Sequence, residues 1–439
     1  NDANYATVVR NNSCGEMDLI GTYDYHRCGE KIYNLHAYVR SNNTLSFING
    51  TWQGNTRNDL EAELPNIDMR VNQNGDTIRH RLLVCAMNLE YYLVDQFGTD
   101  MGPYSYSEHQ SQRTKISKAL AKINADIYGL VEIQQGNGAL KEIADDLTKN
   151  TGRPFTYIAS GTSINGSYTQ SGFVYCTETV EPYAAIQNIE TAVKHRKKMQ
   201  AFVEKSSGEK FIVSINHFKA KSGNGNGLDA DYGQGCYNHT RTQEAQAVLD
   251  KYDIFRRQLR DSNVLFMGDL NAYAQEDPIR LFTQSKYAIT DLHRYFHADS
   301  SYSYMYGGRA GYLDHALCDS TMLPQVTGMI AYHINSDESD LYAYDRYSDG
   351  TMFRCSDHDP IVVGLNLGKH SIGDTTYQIN LHDVLFNGQD IIIKGALGDE
   401  GNTFYALYTL SGQRLAFEPI TTQTCTISRP SAPGVYVLN

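Results

Sequence analysis

Residues 264–271 read Val-Leu-Phe-Met-Gly-Asp-Leu-Asn. Four apolar residues, enough for the centre of a buried strand, run directly into a glycine, a carboxylate and an amide. A buried strand does not tolerate an unpaired charge inside it, so these polar groups belong at its end, facing a cleft. The same arrangement recurs along the chain. The run 81–87 leads into Asn88 and Glu90, 127–131 into Glu132, and 211–215 into Asn216 and His217. Tyr312-Leu313 leads into Asp314-His315, and Ser356-Asp357-His358-Asp359 precedes another apolar run.

Between these runs lie stripes of helical period. Ile116, Ala119, Leu120 and Ile123 predict a helix over about 112–124. Leu140, Ile143, Ala144 and Leu147 predict a second over about 139–149, with Gly152 as its stop signal. Ala245, Val248, Leu249, Tyr252 and Leu259 mark a third that begins near Thr242. Strands alternating with amphipathic helices place residues 79–368 in the α/β (α+β) class. Asn-, Tyr- and Gly-rich residues 1–78 read as a β-rich N-terminal segment. After a linker around 368–375, residues 375–439 alternate like strands, with Ser411-Gly412 and Pro433-Gly434 as turn signals.

The chain has 439 residues, 41% hydrophobic, with 38 Lys+Arg against 50 Asp+Glu and a formal charge of -12. That composition supports a packed core, and no apolar run is long enough for a transmembrane helix. The acidity argues at first against a polyanionic partner. It is unevenly spread, however: residues 190–221 hold eight Lys+Arg and three Glu. Among eight cysteines there is no CxxC pair, which makes a cysteine-ligated zinc site improbable. Cys85, Cys176 and Cys318 sit in apolar runs, and Cys14 with Cys28 is the expected disulfide.

The strand-end inventory of carboxylates, amides and histidines suits a hard cation. Mg²⁺ or Mn²⁺, with Ca²⁺ as a third possibility, prefers oxygen ligands and binds substrate phosphates. Such an ion stabilises charge on a phosphoryl oxygen while a carboxylate or imidazole moves protons. These residues alone therefore point to a divalent-metal phosphohydrolase.

In this order, MNLE (87–90), VEIQ (131–134), NHF (216–218), GDLN (268–271), YLDHAL (312–317) and SDHDP (356–360) resemble the endonuclease/exonuclease/phosphatase superfamily of pancreatic-type DNases and related phosphoesterases. The resemblance implies a four-layer sandwich with two central mixed β-sheets. It implies a metal site at Asn88, Glu132 and Asp357, and catalytic His217, Asp269, Asn271, Asp314 and His358. Asp269 and Asn271 would orient the attacking water, and Asp314 would hold His358. Which histidine is base and which acid stays open. Arg196, with Asn271, would contact the substrate phosphate.

HFKAKSG (217–223), GQGCYNHTRTQEAQAVL (233–249) and GDLNAYAQEDPI (268–279) are similar to bacterial extracellular nucleases. Gln134 stands where those nucleases often carry Asn, and Lys198 where Pro is common. YALYTLSGQRL (405–415) with PGVYVLN (433–439) resembles the small terminal β-sandwich of secreted Bacteroidetes proteins, which implies sorting to the cell envelope. The expected protein is thus a secreted, periplasmic or cell-surface nuclease acting on DNA. The alternatives are a phosphodiesterase or phosphatase on phospholipid or inositol phosphate head groups, and a catalytically silent envelope binding protein.

Several residues have plainer readings. The run 194–198 reads as a solvated strand face apart from Arg196, and Arg241 as a phosphate contact or a solvated helix residue. Asp277-Pro278 reads as an N-cap followed by Pro at the first helical position, and His315, His239 and His195 as structural histidines.

Overall fold

The structure, a computed structural model, describes residues 82–99, 101–159, 168–191, 196–298, 301–306, 309–338, 340–346 and 350–368. It also describes strands at 31–39, 45–53, 69–71, 77–79, 384–386, 390–394, 403–409, 414–420, 424–428 and 436–438. The expected Cys14–Cys28 pair, His195 and most of the expected linker lie outside these residues. The chain divides into two compact units, Asn1–Gly368 and Lys369–Asn439. In the first, β1 (Lys31–Val39) pairs antiparallel with β2 (Leu45–Gln53), and β3 (Met69–Val71) with β4 (Thr77–Arg79). The second contains two three-stranded antiparallel sheets. One orders β19 (Val384–Phe386), β20 (Asp390–Lys394) and β23 (Thr424–Ser428). The other orders β22 (Arg414–Ile420), β21 (Thr403–Thr409) and β24 (Tyr436–Leu438).

Two mixed six-stranded sheets form the centre of the first unit. The first uses β5 (Leu82–Tyr92), β6 (Ile127–Gln134), β7 (Phe155–Tyr157), β8 (Thr169–Cys176), β17 (Val326–Ala331) and β18 (Ile361–Leu365), in the order β17-β18-β5-β6-β8-β7. The second uses β9 (Val180–Asn188), β10 (Lys197–Glu204), β11 (Lys210–Asn216), β12 (Val264–Asp269), β13 (Thr290–Asp291) and β16 (Asp314–Cys318), in the order β13-β16-β12-β11-β10-β9. Each has one parallel pair at its centre, β5 with β6 and β11 with β12, and antiparallel pairs outside it.

Strand periodicity explains why these sheets stack. Leu82, Val84 and Ala86 of β5 and Ile127 and Val131 of β6 meet Val213, Ile215, Leu265 and Met267 of the second sheet in one buried cluster. The alternate residues turn outward. Cys85, Met87, Tyr128 and Leu130 pack under α1 (Tyr106–Ile123) and α2 (Gly138–Thr151). Met199, Ala201, Val264 and Phe266 pack under α3 (Asn238–Leu259) and α4 (Asp277–Thr283). Both faces of each sheet are covered, which is why the strand runs are continuously apolar. Every stripe residue predicted for the three helices is buried. The result is the helix–sheet–sheet–helix sandwich.

The differences from expectation lie at helix starts. α1 begins at Tyr106, six residues before the expected start and ten before the first residue of the apolar stripe. Ser105 caps it by accepting from Glu108 N, while the Glu108 carboxylate accepts from Tyr104 N, a serine-to-glutamate exchange that outweighs the polar first turns. α3 begins at Asn238 and not near Thr242. Glu276, not Asp277, is the cap residue of α4. The described part of the basic run, 196–198, is likewise not a solvated face. Lys197 is fully buried, its ammonium 2.7 Å from Glu244 of α3, and buried Lys198 donates to Gln170 Oε1 at 2.9 Å. Arg241 is neither solvated nor free for phosphate. Its guanidinium is fully buried and donates to the carbonyls of Lys219, Gln234 and Cys236, which fastens the loop 217–237 to α3. Cys85, Cys176, Cys318 and Cys355 are buried free thiols.

The Lys197–Glu244 pair ties β10 to α3 inside the protein. Removing Glu244 strips a buried ammonium of its carboxylate partner, so Glu244→Ala is expected to cost about 3–5 kcal/mol in urea unfolding. The double change Glu244→Leu with Lys197→Met should recover most of that loss. Equal destabilisation by the single and double variants would contradict this account of the pair.

Candidate active site

The polar strand ends converge at one rim of the two sheets. Asp269 ends β12, and its carboxylate accepts from Asn88 Nδ2 at 3.3 Å, from Asn271 N at 2.9 Å and from Asn271 Nδ2 at 3.0 Å. His217, just past β11, places Nε2 3.5 Å from Glu132 Oε1 and 3.7 Å from Asp269 Oδ2. His358 Nε2 lies 4.0 Å from Asp269 Oδ2 and 3.9 Å from Asp357 Oδ2, while its Nδ1 is 2.7 Å from Asp314 Oδ2. All eight residues of the expected metal and catalytic sets are therefore in one neighbourhood, although they come from six separate segments. Arg196 is at its edge: its carbonyl accepts from His217 N and from Ser171 Oγ, and its buried Nε has no protein partner.

The backbone is bent to make this possible. Glu90, Tyr91, Glu132 and Asn271 all have positive φ, between 47° and 58°, a region that costs energy in non-glycine residues. The β5–β6 register slips between Asn88 and Tyr92, and the β6–β8 register between Leu130 and Ile133. Such bulges re-aim a side chain at a sheet rim; here they release Glu132 from strict alternation so that its Oε2 accepts from Tyr91 N at 3.2 Å. Gly268 has φ +114°, and a Cβ there would lie 2.2 Å from Asn216 O. No other residue fits where β12 passes β11 so closely.

Residues 100–358, more than half of the chain, match the Endonuclease/Exonuclease/phosphatase family. The chain belongs to this family. Its members are divalent-metal-dependent hydrolases of phosphoric esters. Among solved structures, the chain is similar to an endonuclease/exonuclease/phosphatase from Bacteroides vulgatus, at 14% identity and a TM-score of 0.45 over 65% of this chain and 98% of that one. It is also similar to the human Nocturnin catalytic domain, at 15% identity and 0.43 over 65% and 94%. A third likeness is to a mannosyl-6-phosphatase of Bacteroides thetaiotaomicron, at 15% identity and 0.45 over 65% and 99%. No curated protein matches the chain.

Two donor groups share the family's site in this chain. Asp269, Asp314 and His358 offer ligand atoms within 4.8 Å of one another, a group that could hold a metal ion. Asp314 Oδ2, however, already receives His358 Nδ1 and Ser303 Oγ, both at 2.7 Å. The oxygens of Glu132, Asp357 and Asn88 are the better set for a hard cation. Crowding supports that fit. Burial, followed by the negative charges of Asp357 and Asp269, pushes Glu132 up to about 7. Burial, only partly offset by His358 and reinforced by Asp314, pushes Asp269 up to about 7. Glu90 is raised by burial and by Asp357 and Glu132. These are carboxylates short of positive charge.

The histidines diverge. Burial and the nearby cations Arg196 and His358 hold His217 well below its ordinary value, so it is neutral. Burial also opposes charge on His358, but Asp314, Asp357 and Asp269 outweigh it and hold that imidazole well above its ordinary value. Two imidazoles at one rim are thus an acceptor and a cation.

Ser303 and Tyr304 escape the sequence motifs. Ser303 Oγ donates to Asp314 Oδ2 at 2.7 Å and accepts from Asp314 N at 3.2 Å, and its carbonyl accepts from Asp359 N. The Tyr304 ring stacks on His358 with centroids 4.6 Å apart. They are on and beside a hairpin, β14 (Tyr304–Tyr306) with β15 (Arg309–Gly311), that folds back before Asp314. A stretch of Ser, Tyr and Met carries no signal that would have found them. His315, by contrast, is buried with Nε2 2.7 Å from Ala272 O, a structural role.

The electrostatics set a pH dependence for the metal-free protein. A carboxyl raised in the folded state costs stability as pH climbs from its ordinary value, 4.5 for Glu132 and 3.8 for Asp269, to about 7. His358, raised, contributes stability at low pH that is lost as pH rises through its folded value. His217, depressed, costs stability only below its ordinary 6.5. From pH ~8 down to ~6.5 the first three act in one direction and His217 is silent. In chelator, Tm is therefore expected to be higher at pH 6.5 than at pH 8, with saturating Mg²⁺ narrowing the gap. A Tm that does not change across that window would contradict the crowding.

Proposed function

We propose that this chain is a secreted or envelope-facing nuclease that cleaves DNA phosphodiester bonds with a divalent cation. One observation carries the reading: the protonatable carboxyl of Asp269 lies 3.7 Å from neutral His217 and 4.0 Å from the Asp314-held imidazolium of His358. Asp269, with Asn271 beside it, orients a water and accepts its proton for in-line attack on phosphorus. Cationic His358 faces the phosphoryl group, where negative charge develops, and Asp314 and Ser303 keep its ring in place. The ester P–O bond opposite the water breaks and its leaving oxygen takes a proton from solvent; His217 hydrogen-bonds the phosphate or that oxygen, and Arg196 offers its unpartnered Nε to a phosphate oxygen.

Glu132, Asp357 and Asn88 would hold Mg²⁺ or Mn²⁺, which supplies charge neutralisation at the phosphoryl oxygens when bound. DNA, as against a lipid or inositol head group, is favoured by the 217–249 motifs and by Arg196, whose Nε at the edge of the site has no protein partner. Location outside the cytoplasm rests on the resemblance of residues 405–415 and 433–439 to the terminal domains of secreted proteins.

A plasmid-nicking assay run beside sphingomyelin and inositol phosphate hydrolysis tests this. Nicking that requires a divalent cation is expected, with Glu132→Gln and His358→Ala each lowering kcat by about 10²–10⁴-fold. Hydrolysis of the lipid or inositol substrate without DNA cleavage would overturn the nuclease reading. Ser303→Ala should lower kcat by roughly tenfold with KM little changed, and Ser303→Thr should restore it. A change confined to KM would remove Ser303 from the positioning of the Asp314–His358 couple.

A further inference from the structure

Seven tyrosines among the described residues are strongly exposed, and their distribution is uneven. Tyr183 lies on β9 and Tyr295 on α5 (Leu292–His297). The other five, Tyr104, Tyr106, Tyr168, Tyr232 and Tyr306, are 51–80% exposed and lie on or beside loops at the catalytic rim.

Each loop is fastened to the site by a short link. The 93–105 loop doubles back over Tyr91, so that a Cβ on Gly102 would lie 2.6 Å from Tyr91 O; Tyr91 N in turn donates to Glu132. The carbonyl of Tyr168 accepts from Gln135 N, three residues beyond Glu132. Tyr306 is on the hairpin whose Tyr304 ring stacks on His358. Tyr232 belongs to the loop that starts at His217. Arg241 holds that loop through three carbonyls, and Asp231 tightens it by accepting from Gly233 N and Gly235 N.

Rings of this size stay on a surface at a cost in exposed apolar area, and clustered exposed rings mark a binding surface. Rigid loops keep them exposed by preventing collapse into the cleft. Several cations near the rim are already engaged, among the described residues. Lys221 is paired with Glu276 at 2.5 Å, Lys197 with Glu244, and the Lys219 ammonium lies over the Tyr237 ring at 4.4 Å. A duplex, which presents phosphates and hides its base faces, gains little from such a rim. Unpaired bases gain a ring to stack on, whatever their identity.

We propose that the exposed tyrosines around the cleft are a stacking platform for single-stranded nucleic acid, which presents successive bases to them while one phosphate enters the site. This rests on the nuclease reading and specifies its substrate. A membrane surface is the competing partner for exposed rings. It is disfavoured because, among the described residues, five exposed tyrosines with polar hydroxyls outnumber the two exposed aliphatic side chains on the same loops, Met101 and Leu228.

The test is binding without chemistry. The full chain in EDTA is titrated with a fluorescent single-stranded oligonucleotide, with the same sequence as a duplex, and with phosphatidylcholine–sphingomyelin vesicles. The single strand is expected to bind tightest. Tyr104→Ser, Tyr232→Ser and Tyr306→Ser, all on the surface, should each weaken it by about fivefold or more, and the triple variant should weaken it further. Unchanged oligonucleotide affinity in the triple variant would overturn the proposal, as would tighter binding of the duplex or of vesicles. Hydrolysis of bis(p-nitrophenyl) phosphate by the unaltered chain with Mg²⁺ or Mn²⁺ separates the two readings. If that ester is cleaved and the tyrosine changes have no effect on binding, the hydrolase stands and the platform falls. If it is not cleaved and the tyrosine changes weaken binding, the platform stands and the hydrolase falls.

Discussion

Like charges crowd the rim of two packed sheets, and the local architecture answers to that crowding. Glu132, Asp269, Asp357 and Glu90 approach one another in a space from which water is largely excluded, and a carboxylate there is costly unless something positive or proton-donating faces it. Two compensations are visible. Asp269 takes hydrogen bonds from Asn88 and Asn271. Asp314 is neutralised by His358 and bonded by Ser303. Glu132 takes only the Tyr91 N–H and the neighbouring His217, and Asp357 stays partly open to solvent, which leaves oxygen atoms that could face a cation.

Holding such a rim requires rigidity beneath it. The two sheets share one continuous apolar interior, and helices seal both outer faces, so the strand ends cannot drift apart to relieve repulsion. Strain accumulates where the chain leaves the sheets: four non-glycine residues at the site have positive φ, and two register slips lie next to Glu90 and Glu132. Buried Lys197–Glu244 and the fully buried Arg241 extend this rigidity outward into the 217–237 loop. Stable layers thus support a destabilised edge, the usual relation between scaffold and active site.

Much of this was legible in the residues. Apolar runs that stop at an acid, amide or imidazole told strand ends from strand interiors, and helical stripes located α1, α2 and α3 to within a few residues. Errors arose where a local signal competed with a tertiary one. The lysines at 197 and 198 read as solvated because lysine is seldom buried, but Glu244 and Gln170, both distant in sequence, accept their ammonium groups. Arg241 was misread for the same reason: its partners are carbonyls of a loop, and carbonyls leave no trace in a sequence. The start of α1 was misplaced because the buried side of its first turns is polar, His109, Gln112 and Lys115, and an apolar stripe does not mark it.

The sequence by itself determined the class of fold, the family and the inventory of reactive groups, because periodicity and side-chain chemistry are local properties. It also showed that the net charge of -12 is an average over unlike parts, with basic residues gathered ahead of His217. Only the tertiary structure decided which groups oppose one another: that His217 is driven neutral and His358 cationic, that Ser303 bonds Asp314 across a hairpin, and that five exposed tyrosines lie on or beside loops linked to the site. Those are consequences of distance and dielectric, and distance between residues 88, 269 and 358 exists only once two sheets have packed.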